Sequence, residues 1–175
     1  MPAAADGGPG EAPVPGGAAP RSHAWWSLAG ITAVAAAANV LVNRVAPAWA
    51  FVPIMAVAGA AAVALARRGG ATTADLGLAP GPARRSALAG LAFGVVAAAL
   101  IFAGLAVPPL RDLYVDQRAA GIGVGGLLYY ALVRIPLGTA LGEELLFRSA
   151  ALGAGLRLGS SRLAIGLSSL LFGLW

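Results

Sequence analysis

Two adjacent carboxylates, Glu143 and Glu144, stand near the end of an apolar run, and Arg148 follows four positions after the second. A charged side chain at the centre of a membrane helix costs about 2.5–3.5 kcal/mol on insertion scales. Neighbouring like charges repel as well, so such a group is a functional candidate by default. Helix geometry divides the pair. At 3.6 residues per turn, Glu144 and Arg148 lie about 40° apart round the helix and can form an ion pair. Glu143 lies about 140° from Arg148 and faces a different surface. One carboxylate is then scaffold, and the other is free to act as a general base on a water. The bland alternative is a helix ending at the membrane interface, with two solvated glutamates and a snorkelling arginine. Other chemistry is scarce. The chain has no Cys, which excludes thiol nucleophiles and thiolate metal sites, and its one His is His23.

The elements that must hold this pair are apolar throughout. Apolar residues make up 59% of the 175 and charged residues 11%. Ordinary globular chains run at about 45–50% and about 25%. So few charges cannot cover a water-soluble fold of this size, and the composition points to lipid as solvent. The fold class expected is an all-α polytopic bundle of four spans and part of a fifth. The net charge of +5 comes from twelve basic residues, all of them Arg and scattered between apolar runs. That distribution fits membrane topology, and it argues against nucleic acid as a partner.

Residues 1–23 read as a disordered Pro/Gly/Ala-rich tail, without the basic start of a signal peptide. Residues 24–110 read as three spans, centred on 24–43, 46–66 and 86–107. A fourth covers 121–147 and is apolar except for Arg134, Glu143 and Glu144. A fifth begins near Leu163 and reaches Trp175, which is too short to cross a bilayer. With the N-terminus inside, the inner loops carry Arg21, Arg67, Arg68, Arg84, Arg85, Arg148, Arg157 and Arg162. The outer loops carry only Arg44, Arg111 and Arg118, so this orientation is expected and puts the acid pair toward the cytoplasm. Two small-residue pairs, Gly90/Gly94 and Gly138/Gly142, would let helices approach closely. Thr32, Asn39 and Asn43 share a face expected to glue the first helix to its neighbours. Pro53 and Pro136 are expected to kink their helices.

The stretch GEELLFRSA resembles the first signature of the CPBP family, the CAAX-protease and bacteriocin-processing membrane proteins, also called type II CAAX prenyl endopeptidase-like or Abi proteins. That signature is two adjacent Glu, then Arg four positions later with Phe just before it, here Glu143, Glu144, Phe147 and Arg148. The second signature, Phe-x-x-x-His, would begin at Phe172 and place its His directly after Trp175. The sequence therefore reads as a partial domain over 121–175, interrupted inside its fifth span and inactive as it stands.

The resemblance implies an intramembrane endopeptidase of the bacterial plasma membrane, acting on a peptide or membrane-protein substrate. It makes Glu143 the base, with a His of the second signature, and gives Glu144 and Arg148 a supporting role. A later His and Asn would steady the oxyanion. The family label also suggests a divalent metal such as zinc, whose ligands these residues do not supply. Two other classes compete. A transporter fragment would use the Glu pair for a cation or proton. A non-catalytic membrane partner, immunity-like, would be a protease scaffold without its His.

Overall fold

The computed structural model describes residues 21–81, 83–114 and 121–175. Most of the tail read from the sequence, residues 1–20, lies outside them, as do Asp116 and Arg118. Helix α1 spans Arg21–Val40 and runs on in a wider turn over Leu41–Val45. Thus Arg21, Ser22 and His23, placed in the tail by composition, form the first turn of a helix. Helix α2 spans Phe51–Arg68, α3 Ala83–Ala106 and α5 Ser161–Leu174. Between the last two lies α4, one helical run over Val124–Leu156. No strand occurs among the described residues, and α1 to α4 are long and apolar enough to cross a membrane.

Helix α4 differs from its expected form in length and winding. It continues past Phe147 to Leu156 because the small residues that follow are packing surface rather than a break. Ala150, Ala151 and Ala154 are buried, Gly153 passes the Asp75 carbonyl, and Gly155 passes Ala164. The run stops at Gly159, whose φ of 85° suits glycine. Ser160 then caps α5, its side chain accepting the Leu163 N–H at 3.3 Å. Over Tyr130–Ala140 and again over Glu144–Ala151 the winding widens to an i→i+5 pattern. Pro136 lies in the first of these stretches, and its carbonyl accepts the Leu141 N–H five residues on. A proline ring crowds the carbonyl four residues before it, and a wider turn relieves that contact. Pro53 has no such effect. It is the third residue of α2, where a backbone N–H has no intrahelical partner to lose.

The bundle is held by close backbone approach and a few polar bonds. Against α1, α2 runs antiparallel: the Ser27 hydroxyl donates to the Leu65 carbonyl at 3.0 Å, and Gly30 also meets Leu65. Against α4, α2 runs parallel, because Phe51 meets Gly138, Met55 meets Gly142 and Gly59 meets Leu145, in ascending order on both helices. A Cβ on Gly138 would sit 2.7 Å from the Phe51 ring, so only glycine allows this approach. Helix α5 returns antiparallel to α4, with the Ser168 hydroxyl donating to the Phe147 carbonyl at 2.8 Å. The core these contacts enclose is formed by Ile31, Met55, Leu146 and Phe147.

On the Arg67/Arg68 side, the turn after α2 is pinned to the end of α4. The Thr72 N–H donates to Asp75 Oδ2 at 2.8 Å, and the Asp75 N–H donates to the Thr72 hydroxyl at 3.1 Å. Arg157 approaches the same carboxylate at 4.0 Å, while Leu76 is buried against Gly153. Among the described residues helix α3 has no comparable partner. Its side chains are almost all exposed, and it packs on the 3-10 segment Pro108–Tyr114 that follows it.

Candidate active site in the cleft between α4 and α5

Nineteen steps of about 1.5 Å would place Glu143 about 28 Å along α4 from Val124, near the far boundary of a hydrocarbon core about 30 Å thick. Three devices fix its position there. Gly142, the residue before it, lies against Met55 so closely that a Cβ would meet the Met55 Cε at 2.9 Å. Phe147, only 2% exposed, anchors the next turn in the core. Ser168 ties the Phe147 carbonyl to α5.

The result is a cleft of about 540 Å³, open between α4 and α5. Glu143, Glu144 and Arg148 all line it, with Thr139 and Ser169 adding hydroxyls and Ile135, Ile165 and Phe172 adding apolar surface. Its size and its few polar groups in an apolar wall match small-molecule and peptide-segment sites. The structure therefore gathers every site residue read from the sequence. It also revises one detail, since Glu143 does not face a separate surface but shares the cleft with Glu144. The widened winding that begins at Glu144 changes the angular spacing assumed for an ideal helix.

The two carboxylates have different partners. Glu144 is paired with Arg148, one helical turn on, as its spacing requires. Both are open to the surroundings, with side chains 49% and 71% exposed, so the pair orients these groups more than it stabilises the fold. Glu143 is half-buried and accepts a hydrogen bond from the Trp175 indole N–H at 3.1 Å. The Trp175 ring stands edge-on to Phe147 at 5.7 Å, and Phe172 does the same at 5.4 Å. The Trp175 carbonyl accepts the Asn39 side-chain N–H from α1 at 2.8 Å.

Of the polar face expected on α1, then, Asn39 alone bonds another helix. The Thr32 hydroxyl donates to Leu28 and the Asn43 amide to Asn39, both within α1. Arg134, the other charged residue of the fourth span, is held apart from the acid pair. Its guanidinium donates to the Tyr130 hydroxyl at 2.8 Å and lies 4.4 Å from the centre of the Phe51 ring. Trp175 is the neighbour that sequence reasoning missed. It lies 32 residues from Glu143, and no helical period links positions on two different helices.

Among the described residues no three of His, Cys, Asp or Glu converge. The donor set present, two adjacent carboxylates, does not fit a protein-held zinc, which takes three or four ligands.

An acid pair with an arginine clamp thus stands at the edge of a bundle of membrane-sized helices. Residues 125–175 match the family described as Type II CAAX prenyl endopeptidase Rce1-like. The matched segment holds the acid pair, Arg148 and Trp175, so the resemblance covers the cleft itself and a CAAX-protease type of function at family level. No curated protein and no solved structure matches the chain.

Proposed function

We propose that this chain supplies the acid-pair part of an intramembrane endopeptidase, with its N-terminus and its cleft on the cytoplasmic side. The observation that carries this reading is the cleft. It brings Glu143, Glu144 and Arg148 to one wall, within the segment that matches the CAAX endopeptidase family.

In this reading Glu143 takes a proton from a water in the cleft. The water oxygen attacks the scissile carbonyl carbon, and the carbonyl electrons move to oxygen. The tetrahedral intermediate then collapses. The peptide C–N bond breaks, and the proton held by Glu143 passes to the leaving amine. A His from the family's second signature would share the activation of water. Glu144 holds Arg148 and is in turn held by it, so the second negative charge in the cleft has a cationic partner. The apolar wall of Ile135, Ile165 and Phe172 suits a substrate segment delivered from the bilayer. The substrate class is a peptide or membrane protein that reaches the inner leaflet.

The test is cleavage of a membrane-tethered reporter by the full-length gene product. Glu143→Gln is expected to lower the rate by about 10²–10⁴-fold, the usual worth of a general base, while membrane insertion is retained. A variant that inserts and cleaves at the normal rate removes Glu143 from the base role.

A further inference from the structure

We propose that Trp175 is a positioning residue for Glu143, and that Asn39 on α1 sets Trp175 from the opposite side. The proposal rests on the endopeptidase reading above and adds a residue to it. A continuous set of contacts carries it. The Asn39 side-chain amide donates to the Trp175 carbonyl at 2.8 Å, and the Trp175 indole N–H donates to Glu143 Oε1 at 3.1 Å. The indole ring is held at a fixed tilt on buried Phe147.

The chemistry of the donor suits the task. An ionised carboxylate offers about four lone-pair sites, and the indole fills one of them, on Oε1. Oε2 stays available to a water. Indole N–H is a donor only, so it can orient a carboxylate without competing for the proton that a base must accept. Lysine or arginine in its place would add a second cation beside Arg148. In an apolar surround a hydrogen bond to an ionised acceptor is among the stronger kinds. The two adjacent acids therefore separate by partner. Glu144 turns to a cation, while Glu143 is aimed by a neutral donor. Helix α1, which carries no acid, thus reaches the site through Asn39.

Two measurements on the full-length protein test this. Trp175→Phe keeps an aromatic ring on Phe147 and removes the donor. It is expected to lower kcat by about tenfold or more, the worth of one hydrogen bond to a charged group, with KM changed less than about twofold. Asn39→Ala should change kcat in the same direction and less.

The second measurement needs no activity. In ¹⁵N-labelled protein in micelles each tryptophan gives one indole N–H signal, those of Trp25, Trp26, Trp49 and Trp175 among them, and Trp175→Phe assigns the one at issue. Glu143→Ala should move that signal upfield and leave those of Trp25, Trp26 and Trp49 in place. An unmoved signal overturns the contact. A normal kcat in Trp175→Phe, beside an inactive Glu143→Gln, overturns the positioning role and leaves the endopeptidase reading standing. Normal cleavage by Glu143→Gln overturns both.

Discussion

Helices α3 and α4 look alike to a hydropathy scale, and α3 is the more apolar of the two. Each carries a Gly-x-x-x-Gly pair. Yet nothing lies within 4 Å of where a Cβ on Gly90 or Gly94 would sit, while Gly138 and Gly142 are pressed against Phe51 and Met55. The difference teaches what apolarity does in a bilayer. Lipid tails are as apolar as leucine, so greasiness selects the membrane but not a neighbour. Position within the bundle comes from small residues that admit another backbone and from a few polar groups that must find partners. Helix α4 has both, and the chemistry sits on it. Helix α3 has the small residues, and among the described residues no neighbour meets them.

This contrast can be broken at several points. The largest effect is expected in the core. Phe147→Ala should destabilise the bundle by about 3–5 kcal/mol, whereas Phe93→Ala on α3, where that ring is 77% exposed, should change almost nothing. Unfolding in detergent by SDS titration reads both, and equal losses would sink the contrast. Overpacking comes next. Gly142→Leu should cost about 1–3 kcal/mol and reduce cleavage, with Gly94→Leu neutral in the same melting assay. If both melt alike, the second glycine pair is also an interface. Ser168→Ala removes the bond between α5 and the Phe147 carbonyl, for a loss of about 1 kcal/mol, against none for Ser86→Ala on α3. The smallest effect on stability belongs to the exposed ion pair. Glu144→Gln should cost a few tenths of a kcal/mol, and its cleavage rate should still fall by about tenfold. An unchanged rate would make the pair ornamental to the reaction.

Much of this was legible in the residue order. Five apolar stretches became five helices, because length and hydropathy decide which segments can satisfy their backbone in lipid. The Glu144–Arg148 pair was legible too, since both groups ride one helix at a fixed spacing. What required the fold were relations between helices. The two glycine pairs cannot be told apart by spacing, and neither can Asn39 be told from Thr32 and Asn43 on the same face. The Trp175 partner of Glu143 comes from another helix. The widened winding of α4 is equally hidden, although Pro136 marks where it is tolerated. The extension to Leu156 is hidden because the packing surface of its glycines, Leu76 and Ala164, lies on other segments.

The parallel contact of α2 with α4 has a consequence for α3. A chain that threads a bilayer reverses direction at every crossing. Two neighbours that run the same way must therefore be separated by an odd number of crossings, much as parallel strands need a crossover. Helix α3 is that return passage. Loss of the whole crossing would turn α4 upside down and carry the acid pair to the opposite face of the membrane.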